Sequence, residues 1–219
     1  MCGIIGAFGK DINERRDIYE NMLNLIKHRG PDDHGLLIEK NIVLGTRRLS
    51  ILDLSLKGHQ PMTDKEKKIW ISYNGEIYNY RELRADLIQL GYYFESDSDT
   101  EVILYAYKAW GIDCVKKLNG MFAFALWDTK QSRLYLVRDN FGIKPLYYVK
   151  LNRGVIFASE IKSILAYPGI EAILNPTGLS DYLSFRYTVG SETLFKNILS
   201  LLPGRYLEID LKGHDVNAG

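Results

Sequence analysis

The stretch Gly3-Ile4-Ile5-Gly6-Ala7-Phe8-Gly9 decides the fold class. It carries no polar side chain and is too short for a helix, so it reads as a strand buried on both faces. A helix is predicted next, over Asn13 to Lys27, because Ile18, Met22, Leu25 and Ile26 recur at helical spacing until His28-Arg29-Gly30-Pro31 stops the pattern. Further strands are predicted at Gly35 to Ile38, Ile42 to Arg47 and Ile69 to Tyr73. A second run that is apolar on both pleat faces, Phe122 to Trp127, leads through a turn at Asp128 to Ser132 into Arg133 to Arg138, which together read as a buried hairpin. Between these strands Asn79 and Glu82 form a capping-box pair ahead of Leu83, Leu87 and Leu90, and another helix is predicted from Asp99 to Gly111. Val155 to Ala158 reads as a strand and Glu160 to Ala166 as a short helix. Asn175-Pro176 opens a helix to about Phe185, and Arg205 to Ile209 forms the final strand. Strands arranged as hairpins among helices imply a layered α+β fold, not a repeated βαβ unit. Gly213 to Gly219 is polar and aperiodic, so residues 212–219 read as the start of a linker.

Composition excludes several classes of function. The chain has 219 residues and 28 Lys plus Arg against 27 Asp plus Glu, a balance that fits neither a strongly basic nucleic-acid binder nor an acidic tail. At 46% hydrophobic and 25% charged it has the make-up of one compact globular domain. The longest purely apolar run, Met121 to Trp127, falls far short of the roughly 20 residues that cross a bilayer, so no membrane partner is expected. Lys10 and Arg15 follow the apolar start instead of preceding it, which is wrong for a secretory signal and points to the cytoplasm. Cys2 and Cys114 cannot build a disulfide framework and lack the companions a zinc site needs, so no metal is expected. Cys114 lies in an apolar stretch and reads as a buried structural thiol.

Five places could carry chemistry. Removal of Met1 would leave a thiol and a free α-amine on Cys2, a nucleophile with its own base. Alone, Cys2 reads more readily as a small residue that merely fits the first strand. Asn74-Gly75-Glu76 follows a predicted strand and could offer a side-chain amide and a backbone N–H as an oxyanion hole, or could simply be a hairpin turn. Arg48 has the planar fork that matches a carboxylate, although Arg47-Arg48 could also be a solvated edge. Asp99 could be a ligand or a helix cap, and His28 to Asp32 could be only a rigid turn.

The ordered set Met1-Cys2-Gly3-Ile4, Arg29-Gly30-Pro31-Asp32, Arg48-Leu49-Ser50-Ile51-Leu52-Asp53, Gly58-His59-Gln60-Pro61-Met62 and Tyr73-Asn74-Gly75-Glu76 resembles the class II glutamine amidotransferases. So do Ser98-Asp99-Thr100-Glu101, Gly120 to Ala125, Arg138-Asp139, Gly142 to Tyr148 and Ala158 to Lys162, and the set is most like the glutaminase domain of asparagine synthetases. Pro31 after Arg29-Gly30 favours that subgroup. Thr46 departs from it, since the family often has His two residues before the Arg.

The resemblance implies a four-layer αββα sandwich with the Cys2 strand central, and a domain spanning residues 1–211 with Met1 removed. It makes Cys2 the nucleophile, its α-amine the base, and Asn74 and Gly75 the oxyanion hole. Arg48 would clamp the glutamine α-carboxylate, Glu76 and Asp99 would accept its α-ammonium, and the backbone of Leu49 and Ile51 would line the pocket. No cofactor is implied in this chain. ATP and magnesium belong to a synthetase domain that is absent here, where ammonia would meet an activated aspartate. Another ammonia acceptor, or a catalytically silent docking module, are the alternatives. The oligomeric state is left open, a homodimer among the choices.

Overall fold

Strand β1 (Gly3–Gly9) is buried at all seven positions, the environment its uninterrupted apolar run requires. The computed structural model describes residues 1–211 and 215–218. After β1 come helix α1 (Arg16–Leu25), strands β2 (Asp33–Glu39), β3 (Ile42–Arg48), β4 (Met62–Thr63) and β5 (Ile69–Ile77), and helices α2 (Tyr80–Gln89) and α3 (Asp99–Trp110). There follow β6 (Gly120–Asp128), β7 (Arg133–Arg138), β8 (Tyr147–Leu151), β9 (Gly154–Ala158), α4 (Ile161–Leu165), α5 (Pro176–Phe185), β10 (Leu199–Ser200), β11 (Tyr206–Asp210) and β12 (Asp215–Ala218).

The strands form two six-stranded sheets, one ordered β10-β8-β9-β1-β3-β2 and the other β12-β11-β7-β6-β5-β4. Every paired strand is antiparallel, and β1 is interior, flanked by β9 and β3. One apolar cluster fills the space between the sheets, with Ile4, Phe8, Leu44, Ala125, Leu136 and Phe157 among its members. A second seals α1 and α4 onto the β1 sheet through Ile5, Met22, Leu23 and Ile164. A third packs α2 and α3 on the β5 sheet through Ile71, Leu83, Leu87, Val102 and Phe124. Three apolar interfaces require four layers, so the α+β αββα sandwich is the architecture observed.

Several local expectations are corrected by tertiary packing. Leu25 and Leu90, assigned to buried helix faces, are exposed, while Tyr19 and Leu23 fill the α1 interface. Asn79 sits at the N-terminus of α2 but does not cap it. Its Nδ2 donates to the Lys117 carbonyl and its Oδ1 accepts from the Asn119 N–H, tying α2 to the start of β6. Ser98, not Asp99, caps α3, by accepting from the Thr100 N–H. Arg47 and Arg48 are no solvated edge, since both are buried. Strand β8 lies between the anticipated ones and closes the hairpin with β9.

The largest difference concerns Asn74-Gly75, which forms neither a strand end nor a hairpin turn. Strand β5 runs through it, paired with β6 from Ile69↔Asp128 to Ile77↔Gly120. A full-length partner strand outweighs the local turn preference of Asn-Gly. Residues 215–218 pair with β11 as an edge strand within the segment assigned to a linker, while 212–214 and 219 lie outside the described residues.

Candidate active site

Strand periodicity explains how distant residues converge. Side chains alternate between faces with period two. On β1 the even positions Ile4 and Phe8 face the space between the sheets, so Cys2, which leads into that strand, belongs to the same face. On β3 Ile42 and Leu44 do so, which sends Thr46 and Arg48 the same way. Arg47 goes the opposite way and donates from Nε to the Leu23 carbonyl of α1 at 3.1 Å. On β5 Ile71, Tyr73 and Ile77 pack toward the helices while Trp70 faces the other sheet, so Asn74 and Glu76 face it too. Strand β5 lies across from β1 and β3, and the three polar faces meet at one end of the inter-sheet layer.

The result is a cavity of about 100 Å³ lined by Cys2, Arg48, Leu49, Ile51, Asn74, Gly75, Glu76 and Asp99, all eight residues singled out in the sequence. The Cys2 sulfur rests on the backbone of Leu49: it lies 3.6 Å from the Leu49 carbonyl and accepts from the Leu49 N–H at 3.4 Å. The Cys2 carbonyl accepts from Arg29 Nε at 2.9 Å, and Arg29 in turn pairs with Glu160. Arg48 is only 5% exposed; its Nη2 donates to the Leu52 carbonyl at 3.0 Å and to that of Asp53. A Cβ at Gly58 would lie 2.1 Å from Nη2, so a larger residue there would displace the guanidinium. Nη1 makes only a 3.5 Å contact to the Ser55 carbonyl, which leaves this arm for a ligand.

Asn74 is 1% exposed, and among the described residues neither its Nδ2 nor its Oδ1 has a hydrogen-bond partner. A buried amide without partners costs about 1–3 kcal/mol per orphaned group, so it marks a site poised for something else. The neighbouring N–H of Gly75 points away from β6. Its odd-numbered neighbours show the direction, because the Tyr73 N–H goes to Gln60 Oε1 at 2.7 Å and the Ile77 N–H to Asp99 Oδ2 at 2.9 Å. Beyond β4 the outer edge of β5 is open, and the Gly75 N–H lies between those two occupied donors. A Cβ on Gly75 would lie 2.4 Å from the Met121 carbonyl, so the approach of β6 demands glycine there.

Asp99 accepts a second bond at Oδ2, from the Tyr73 hydroxyl at 2.7 Å. Burial raises its pKa above the ordinary carboxylate value, against the lowering effect of those bonds. Burial likewise raises the Cys2 thiol, opposed by the Leu49 N–H, the chain-terminal charge and Arg48. Ile51 stands exposed at the rim. The sequence did not single out Gln60, Tyr73 or Lys144. All three lie within the stretches that carry the family resemblance, but the role of Gln60 appears only where it bridges the Tyr73 N–H and the Thr100 hydroxyl. Among the described residues no His, Cys, Asp or Glu group is clustered as a metal site needs.

Comparisons with known proteins identify the family. A family model described as a glutamine amidotransferase domain matches residues 1–218. The chain is 41% identical over 214 residues to asparagine synthetase [glutamine-hydrolyzing] 1 of Bacillus subtilis, covering 95% of this chain and 33% of that protein. A putative asparagine synthetase [glutamine-hydrolyzing] 2 of Methanocaldococcus jannaschii is 39% identical over 238 residues, across 99% of this chain and 45% of the relative. The chain thus spans a third to less than half of the length of these relatives. In fold it superimposes on the glutamine phosphoribosylpyrophosphate amidotransferase of B. subtilis with a TM-score of 0.72 at 18% identity, over 100% of this chain and 49% of that one. Sequence and fold together place this chain in the class II, N-terminal-nucleophile family of glutamine amidotransferases.

Proposed function

We propose that this domain hydrolyses glutamine to glutamate and ammonia through a thioester on Cys2. The observation that carries this is the buried Asn74 amide, left without a partner beside the outward Gly75 N–H in the cavity that holds Cys2. Once Met1 is removed, the α-amine of Cys2 takes the thiol proton as the sulfur attacks the side-chain amide carbon of glutamine. Charge that develops on the carbonyl oxygen is met by Asn74 Nδ2 and the Gly75 N–H. The amine then returns the proton to the departing nitrogen and ammonia leaves. Water, activated by the same amine, cleaves the thioester to glutamate and the free thiol.

Recognition of the substrate backbone follows from charge. Arg48 binds the α-carboxylate, and Glu76 and Asp99 accept from the α-ammonium, with Leu49 and Ile51 as walls. A zwitterion needs a fixed cation and fixed anions, and Arg48, Glu76 and Asp99 in the cavity support this reading.

The whole protein we take to be an asparagine synthetase working in the cytoplasm. The relatives' greater length supports a synthetase part beyond this chain, to which we assign ATP, magnesium and the ammonia acceptor. The test is ammonia release from glutamine by protein shown by mass to lack Met1. Cys2→Ala should abolish release while the circular dichroism spectrum stays unchanged, and undiminished turnover in that variant would overturn the nucleophile assignment.

A further inference from the structure

Lys144 lines the same cavity, yet the mechanism above gives it no role. It follows β7 in the turn Gly142-Ile143-Lys144-Pro145 and is only 3% exposed. Asp139 fixes this turn: Oδ1 accepts from the N–H groups of Phe141 and Ile143 at 3.0 and 2.9 Å, and Oδ2 from those of Phe122 and Lys144 at 3.1 and 3.0 Å. Phe122 is the strand partner of Gly75, so Lys144 is anchored through one carboxylate to the segment that shapes the proposed oxyanion hole.

A buried ammonium ordinarily has a carboxylate partner, because an unpaired charge in a desolvated site is costly. Among the described residues Lys144 Nζ has one hydrogen-bonding contact, 3.2 Å to the sulfur of Met1. A thioether is a weak acceptor and carries no charge. The partner is therefore poor, and it belongs to the residue whose removal frees the α-amine. The charged groups that act on Nζ are Arg29, which opposes its charge, and Cys2, Asp139 and Glu76, which favour it. Burial pulls the lysine below its ordinary pKa. Those acting on the Cys2 sulfur include the chain terminus, Arg48 and Asp99 and, because a Coulomb interaction is mutual, Lys144.

We propose that Lys144 acts through Cys2: once Met1 is excised, the buried ammonium faces the vacated space beside Cys2 and stabilises the thiolate. It is a positioning charge, not a group that touches substrate. It rests on Cys2 being the nucleophile, and its purpose is to offset part of the desolvation that disfavours the thiolate. A unit charge lining the same desolvated cavity changes the thiolate fraction by about tenfold, equivalent to about one pH unit.

The test is the pH dependence of iodoacetamide alkylation in protein lacking Met1. Cys114 does not interfere, since it is 1% exposed and burial pushes its thiol up to about 12. Lys144→Met should move the alkylation midpoint up by about one pH unit and slow reaction near neutral pH about tenfold. Lys144→Arg, which keeps the charge, should retain the wild-type midpoint. A Lys144→Met profile that coincides with wild type, or equal displacement in both variants, would overturn the proposal. Lys144→Gln replaces the Met variant under the same criteria should the latter fail to fold by circular dichroism. Alkylation requires no glutamine, so this result is independent of whether Cys2→Ala abolishes turnover.

Discussion

Asn74→Ala should separate activity from stability. In the free domain Asn74 is buried, and neither polar atom of its amide is bonded. Removing those two orphaned groups returns about 1–3 kcal/mol each. The three heavy atoms lost leave a small cavity, which costs about 1–3 kcal/mol by analogy with larger truncations. The two groups together return about 2–6 kcal/mol against that cost, so the variant should be at most about 1 kcal/mol less stable than wild type, about 2–4 °C in Tm for a domain of this size. Catalysis has no such compensation. Loss of one oxyanion donor costs on the order of a hundredfold to a thousandfold in kcat, about 3–4 kcal/mol, with little change in KM because the donor acts on charge absent from bound substrate. Steady-state ammonia release and thermal unfolding of one preparation read both quantities. A Tm fall of more than about 10 °C with kcat intact would refute the reasoning, since it would mean that the amide is a structural bond and not a waiting donor.

Arg48→Ala should instead raise KM for glutamine with a smaller change in kcat, because its partner carboxylate is charged throughout the reaction; steady-state kinetics that show a fall in kcat alone would reverse the two assignments. Gly75→Ala should destabilise by roughly 1–3 kcal/mol, because the new Cβ would lie 2.4 Å from the Met121 carbonyl in β6, and thermal unfolding should show the loss. Glu160 gives a pH signature. Burial raises its carboxyl, but bonds to Arg29, Lys162 and His28 outweigh this and hold it down to about 2. Its folded value lies below the unfolded one, so its stabilisation is full above about pH 4.5 and is lost as pH falls toward 2. Denaturant titrations across that window should show a shallower loss in Glu160→Gln than in wild type.

Much of the scaffold was legible because burial leaves a direct trace in composition. Gly3–Gly9 and Gly120–Asp128 carry apolar residues on both faces, as a strand requires when helices cover one face and another sheet the other. Helix α5 announced itself by Asn175-Pro176, and its cap forms as expected, Asn175 Oδ1 accepting from the Thr177 N–H. Leu25 and Leu90 misled because periodicity identifies a helix face but not where the neighbouring sheet ends.

The sequence by itself determined which groups could do chemistry: a thiol at position 2, an arginine fork at Arg48, an amide beside a glycine at Asn74-Gly75, and carboxylates at Glu76 and Asp99. For each of these a plain structural alternative stood beside the chemical one, because local sequence encodes propensity and not proximity. Only the tertiary structure decided among them. Pairing of β5 with β6 converts Asn74-Gly75 from a turn into mid-strand, and the period-two alternation then turns Asn74 toward the opposite sheet. The same alternation on β1 and β3 brings Cys2 and Arg48 to that face from residues 46 positions apart, while Tyr73 and Ile77 commit Asp99 to the edge of β5. The burial of the Lys144 ammonium, too, has no signal of its own in the sequence. Its place beside Met1 and Cys2 exists only because Asp139 folds the turn after β7 back onto β6, a contact between segments whose spacing in sequence carries no trace of it.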